Sequence, residues 1–410
     1  MRVLRNAVIA GLLLSTLGQA SAAQTVRDSA GVRIVTHTRT AQPRSTWRLA
    51  PQPIVEFGGA AGTGPTMFSH IWGAARAANG LIVVSDEPAQ ELRVFDSTGR
   101  HLRTFGRRGQ GPGEFAQIRG VFVYGDTVYA LDNRRGTAVF TIDGRLVRQV
   151  LYPSLSPYHA VDPWGVLADG SVIETAAGYE PREALVRAGT RIEMRGLFRI
   201  ASDSRSATLL RVVPTFEFYR RENDPPGGDL VAFAPSMTVA VSADRVCTGR
   251  GVRYEITCMD GNGNVRLVIR RDIAPVPVTA AARDAYLRRM RTPQRLPGHE
   301  PPSQARLDQL AERTHFAQDY PAFDWIMAGA DGEVWVSEFR YEQRTRLYGE
   351  PAPAGDTILW NVFAKDGAWT GAVSLPARFT PKHIGREHLL GVNRDDDGVE
   401  RVTLYRLLRR

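Results

Sequence analysis

Two stretches of this chain read as one line written twice. Leu81-Ile-Val-Val-Ser-Asp86 leads to Leu92-Arg-Val-Phe-Asp-Ser-Thr-Gly99, and Val128-Tyr-Ala-Leu-Asp132 leads to Ala138-Val-Phe-Thr-Ile-Asp-Gly144. A unit of about 45 residues built from short alternating strands cannot bury its apolar face alone and must stack on copies of itself, which is the pattern of a propeller blade. The repeat therefore constrains the fold far more than the chemistry.

Turn residues give the blade count. Asn79-Gly80, Gly125-Asp126, Asp169-Gly170, Ala243-Asp244, Asp331-Gly332 and Gly385-Arg386 each lead into a β-rich strand. The expected fold is all-β: a six-bladed β-propeller of four-stranded antiparallel blades over approximately 68–106, 115–151, 158–213, 235–271, 322–375 and 379–408. The sixth blade runs out of chain after its third strand. Segment 53–58, Pro-Ile-Val-Glu-Phe-Gly, matches the fourth-strand pattern of His101-Leu-Arg-Thr-Phe-Gly106 and is expected to close the ring, removing an edge that would otherwise pair with other chains. Val32 to Thr36 and Trp47 to Leu49 are expected to extend the same side. A helical insertion, 279–317, falls between blades four and five, with helices at Ala280 to Arg291 and Ser303 to Phe316.

Residues 1–23 read as a signal peptide and 24–410 as the propeller. Arg2 and Arg5 precede an apolar run from Ala7 to Leu17, and Ala20-Ser-Ala22-Ala23 supplies the small residues of a cleavage site after Ala22 or Ala23. The apolar run is too short to remain as a membrane span, and no later segment reaches that length. The mature chain is expected to be exported, to the periplasm or beyond the cell, and monomeric. Losing Arg2 and Arg5 lowers the formal charge from +9 to +7. Export argues against a nucleic-acid partner, as does the cation bias: Lys365 and Lys382 are the only lysines, the pattern of base composition rather than phosphate binding. The charge still favours anionic ligands. Cys247 and Cys258 flank a turn near Gly251 on neighbouring strands, so an exported chain is expected to bridge them; two buried free thiols are the alternative.

Gly106-Arg-Arg-Gly-Gln-Gly-Pro-Gly-Glu-Phe115, Val128-Tyr-Ala-Leu-Asp132-Asn-Arg134 and Ala138-Val-Phe140 resemble an NHL repeat of a six-bladed propeller. The likeness is specific over about Phe68 to Val150 and generic beyond. The start, Asp28-Ser-Ala-Gly-Val-Arg-Ile-Val35, is similar to the exported bacterial branch of TolB-like and NHL-like propellers. This resemblance implies architecture and little chemistry.

Strand parity puts the loops between strands two and three, and those between blades, on one face. The long insertions fall there, at Thr175 to Met194, Pro214 to Pro235, Asp272 to Pro321 and Arg340 to Thr357. On this decorated face Arg107, Arg108, Arg134, Arg182, Tyr219, Arg220, Arg340 and Tyr341 are the candidate ligand-binding residues, arginine and aromatics together suiting carboxylates, sugars or protein partners. A solvated rim is the plain alternative. Asp86, Asp132, Glu174 and Glu338, near the ends of second strands with Asn393, could hold a cation as in calcium-dependent lactonase-like propellers, or anchor loop amides. Asn393-Arg-Asp395-Asp-Asp397-Gly398 mimics the start of a calcium loop, but its twelfth position is Leu404, so a tight hairpin is expected. The amidating-lyase kind of NHL propeller binds zinc through three histidines. Here His70, His159 and His383 fall in different registers relative to their turns and are not expected to converge.

The leading expectation is a non-enzymatic, exported propeller without cofactor that binds a protein, peptide or small anionic ligand. The alternative is a metal-dependent hydrolase or lyase using calcium or zinc at the channel mouth, with Asp86, Asp132, Glu174 or Glu338 holding the ion.

Overall fold

The computed structural model describes residues 23–59, 64–152, 159–178, 181–292, 302–340 and 355–409. The signal-peptide reading and Tyr341 lie outside these residues. Four short strands come first: β1 (Gln24–Ser29), β2 (Val32–His37), β3 (Thr46–Leu49) and β4 (Val55–Gly58). A four-stranded antiparallel sheet follows, β5 (Ile71–Arg76), β6 (Ile82–Asp86), β7 (Glu91–Phe95) and β8 (His101–Phe105). The next is β9 (Ile118–Tyr124), β10 (Thr127–Asp132), β11 (Gly136–Thr141) and β12 (Leu146–Val150). A third unit comprises β13 (His159–Val166), β14 (Val172–Ala177), β15 (Gly189–Ile200) and β16 (Ala207–Arg220), with short β17 (Asp229–Leu230) on its edge and α1 (Arg182–Val186) between β14 and β15.

The fourth unit is β18 (Thr238–Val241), β19 (Arg245–Gly249), β20 (Glu255–Asp260) and β21 (Val265–Arg271). After α2 (Ala280–Met290) and α3 (Gln304–Arg313) come β22 (Ile326–Ala328), β23 (Val334–Ser337), β24 (Thr357–Phe363) and β25 (Trp369–Pro376). The last strands are β26 (Phe379–Ile384), β27 (His388–Arg394) and β28 (Glu400–Leu408). The chain is all-β with few helices, in the arrangement of a β-propeller.

The core lies between neighbouring sheets. One buried cluster joins Val83, Leu92 and Val94 to Val121, Val128 and Phe140, and another joins Leu390, Val392 and Val402 of the last unit to Ile71, Ile82 and Phe95 of the first. In the second, β4 occupies the outer position on β28, with Phe57 opposite Val402 and Val55 opposite Leu404. Gly99 and Gly144 show that β4 stands to the first sheet as β8 stands to the second. Both turn glycines have positive φ, +83° and +93°, and a Cβ on them would come within 2.8 Å of Phe57 and 2.9 Å of Phe105 respectively.

One expectation about edges is corrected. Val32–His37 does not extend the last unit; it pairs in parallel with β21, Val35 opposite Ile269, because Val35 is buried in the cluster of Ile256, Leu267 and Trp369. The Trp47–Leu49 segment does extend the last unit: its strand β3 runs antiparallel to β28, and it also pairs in parallel with β25 of the preceding unit. The presumed insertions at 175–194 and 214–235 are partly strand. β15 and β16 continue as a two-stranded ribbon whose alternation puts Arg191 over Phe218 at 4.5 Å and Arg195 over Phe216 at 5.2 Å.

α2 and α3 begin at Thr279 and Ser303, whose side chains accept from Ala282 N–H and Arg306 N–H. α3 buries Leu307 and Ala311 and is tied to the ribbon by Arg313, which pairs with Asp224 at 3.0 Å and Asp229 at 2.8 Å. Cys247 and Cys258 are direct cross-strand partners on β19 and β20, Cα atoms 4.0 Å apart, joined by a disulfide.

Candidate functional site

The inner strands β5, β9, β13, β18, β22 and β26 line one cavity of about 1370 Å³. Four of its lining side chains arrive there through breaks in strand register. On β5 the pairing passes from Ile71↔Asp86 to Gly73↔Ser85 and skips Trp72; on β9 it skips Arg119, between Ile118↔Asp132 and Gly120↔Leu131. On β13 and β26 it skips Trp164 after Pro163, and Lys382 after Pro381. An extra residue on one strand of an antiparallel pair leaves the alternation and is re-aimed. Proline, lacking an N–H for the ladder, suits the position before such a bulge. Trp72, Arg119, Trp164 and Lys382 are accordingly half-buried and all face the cavity.

The Arg119 guanidinium lies 4.4 Å over the Trp72 ring, and Trp164 faces Trp325 with ring centroids 5.9 Å apart. Arg195, also in the lining, is neutralised by Glu193 at 2.9 Å and Asp162 at 3.1 Å. Toward the other end, Lys365 pairs with Asp244, and Arg386 with Asp331 at 2.7 Å. Arg119 and Lys382 differ: among the described residues neither has a carboxylate within ion-pair distance, and Arg119 Nε is buried without an acceptor. Burial pushes the Lys382 ammonium down to about 8; Glu400 opposes that shift and Arg394 adds to it. Asp324 and Glu338 also line the cavity, so its field is mixed in sign.

Several of the described residues expected on the decorated face are engaged by the protein's own groups. Arg107 pairs with Glu114 at 2.7 Å, and Arg108 donates to the Pro88 carbonyl at 3.0 Å. Arg220 donates to the carbonyls of Pro225 and Glu222, both at 3.2 Å, closing its own loop. Tyr219 stacks on His315 with centroids 3.9 Å apart. Arg134 and Arg340 are exposed, and the side chain of Arg182 lies outside the described residues.

No three of the four candidate metal ligands come together among the described residues. Asp86 is buried against Arg93 at 2.9 Å; burial raises its carboxyl and Arg93 opposes that. Asp132 accepts four backbone N–H groups, from Ala116, Gln117, Arg134 and Arg135, at 2.8, 2.6, 2.7 and 2.9 Å. Glu174 is buried beside Tyr152, whose phenol is pushed well up by burial and then by that carboxylate. Glu338 alone faces the cavity. No group of three metal-ligating side chains exists among the described residues.

Asp395 accepts from Asp397 N–H and Val399 N–H, so the calcium-loop mimic is a hairpin turn. His70 is bound to Glu400 at 3.2 Å, the side chain of His159 lies outside the described residues, and His383 stacks on His388 with centroids 5.7 Å apart. The signals for the channel residues lay in Trp72-Gly73, Arg119-Gly120, Pro163-Trp164 and Pro381-Lys382, where glycine or proline interrupts an inner strand.

Residues 71–148 match the model of a family, DUF5128, described as a 6-bladed beta-propeller. No curated protein is significantly similar in sequence. A member of the DUF4221 family from Bacteroides vulgatus superposes with a TM-score of 0.54 at 11% identity, covering 90% of this chain and 100% of its own. A calcium-binding protein, regucalcin, from Agrobacterium tumefaciens aligns at 12% identity with a TM-score of 0.41, over 90% of this chain and 98% of its own. The first supports the fold. No helix among the described residues is long and apolar enough to cross a membrane.

Proposed function

We propose that this chain is an exported six-bladed propeller of the NHL-like kind, its ring closed by β4 and its helical insertion packed on the rim, and that it binds a small anionic ligand in the central channel. The site works by binding alone and needs neither metal nor turnover. The supporting observation is Arg119. Its guanidinium lies 4.4 Å over the Trp72 ring, in a cavity, without a carboxylate partner among the described residues. A guanidinium so presented suits a carboxylate, and the indole faces of Trp72, Trp164 and Trp325 suit a flat apolar body attached to it. The decorated face fits less well, because Arg107, Arg108 and Arg220 already bind the protein's own groups.

Benzoate and its neutral isostere benzamide test this on the mature chain by thermal shift and calorimetry. Benzoate should bind saturably in calorimetry and stabilise by about 2.7 kcal/mol at a hundred times its Kd, and Arg119→Gln should weaken its binding by about tenfold. Equal stabilisation by benzamide, or unchanged benzoate affinity in the variant, refutes the reading.

A further inference from the structure

Lys382 is the second cation of the channel, and its setting differs from that of Lys365, the only other lysine in the chain. Lys365 also lines the cavity, but it is exposed there and held in an ion pair with Asp244. Lys382 is the unpaired residue of the β26 bulge: Pro381 pairs with Gly391 and His383 with Leu390, and the residue between has no partner in the ladder. It is one of the residues that line the cavity.

The carboxylate that acts on it, Glu400, does not neutralise it. Glu400 accepts from Ile71 N–H, pairs with Arg394 and binds His70 at 3.2 Å, so its oxygens are occupied. Burial would raise the Glu400 carboxyl, but His70, the Ile71 amide and Arg394 outweigh it and hold the group below its usual range, ionised. The groups facing Lys382 are thus a carboxylate already bound to others, the Arg394 cation, and His383 beside it on β26.

We propose that Lys382 Nζ is a carbonyl-reactive amine, condensing reversibly with anionic aldehydes that enter the channel. This rests on the binding reading above, in which anionic ligands enter the cavity that Lys382 lines. With its ammonium lowered to about 8 from an ordinary 10.5, the neutral amine near pH 7.5 is on the order of a hundredfold more abundant than for an ordinary lysine. Lowered basicity in a desolvated pocket is what makes a lysine nucleophilic. The Nζ lone pair forms the bond to the carbonyl carbon, and the C=O π pair moves to oxygen. The oxygen takes up a proton as nitrogen loses one, giving a carbinolamine. Expulsion of water yields the C=N bond, and readdition of water reverses it. Nothing is oxidised or reduced.

Glyoxylate with cyanoborohydride, applied to the mature chain, converts each imine to a stable carboxymethyl amine that peptide mass mapping assigns to Lys382, Lys365 or the N-terminus. Lys382 should be modified about tenfold faster than Lys365 at pH 7.5, with a rate midpoint near 8. Lys382→Gln should abolish that adduct and Lys365→Gln should leave it unchanged. Modification of Lys365 as fast as Lys382, or a Lys382 midpoint near that of an ordinary lysine, overturns the proposal. Benzoate has no carbonyl that forms an imine, so it separates the two readings. Benzoate stabilisation without a Lys382 adduct overturns the amine alone; a rapid adduct without benzoate stabilisation overturns the anion site and leaves the amine standing.

Discussion

Asp132 offers the sharpest discrimination between a repeat-building carboxylate and a metal ligand. It is fully buried, and its two oxygens accept the amides of Ala116 and Gln117 on one side and of Arg134 and Arg135 on the other, at 2.6–2.9 Å. It thereby ties the loop before β9 to the turn after β10. Asp132→Ala removes all four acceptors. At about 1 kcal/mol for each hydrogen bond lost, and more for any amide left dry, the cost is roughly 4 kcal/mol. Asp132→Asn keeps one acceptor oxygen and turns an NH₂ toward the other two amides, so about half that cost is expected. Against a typical stability of about 5–15 kcal/mol, both are large.

Urea unfolding measures the totals, and hydrogen exchange at the Gln117 and Arg135 amides reports the local opening. Both variants should lose the same stability in EDTA as in calcium. The reasoning fails if Asp132→Ala costs less than about 1 kcal/mol, or if EDTA alone destabilises the unmodified protein by as much as the substitution does.

Other expectations follow from the same structure. Burial pushes His383 and His388 down to about 4, with Arg76 adding to the shift. Below the ordinary imidazole value of 6.5 the unfolded chain binds protons that the native pair refuses, so stability present above that pH is lost as pH falls toward 4. Urea midpoints at pH 7 and pH 5 should show this fall, and His388→Gln should flatten it. Phe57 on β4 is packed 4.4 Å from Phe95, and Phe57→Ala should cost about 3 kcal/mol in urea unfolding if β4 closes the ring. Breaking the Cys247–Cys258 bridge, which spans 11 positions, should cost roughly 3 kcal/mol by the loop-entropy relation, compared as Cys247→Ser with Cys258→Ser against the oxidised protein.

Much of the architecture was legible because it depends on local rules. Strand alternation and turn glycines marked the units, as Gly99 and Gly144 show, and pattern matching picked out the segment 53–58, of which Val55–Gly58 pairs with the last strand. The destination of Val32–His37 was not legible. Its alternation specifies a buried face, but several outer edges offered one, and only packing of Val35 against Leu267 and Trp369 selected β21.

The candidate site divides in the same way. By itself the sequence determined the repeat, the placing of Cys247 and Cys258 on neighbouring strands and the unusual scarcity of lysine, all properties of spacing and count. Only the tertiary structure decided which cations are free. An arginine in a sequence carries no record of its partner: Arg107 meets Glu114 seven residues away, while Arg119 meets Trp72 from another sheet. Side-chain direction was hidden for a related reason. Period-two reading assigns every inner-strand residue to one of two faces, whereas a bulge breaks that parity, and Trp72, Arg119, Trp164 and Lys382 reach the channel because they belong to neither.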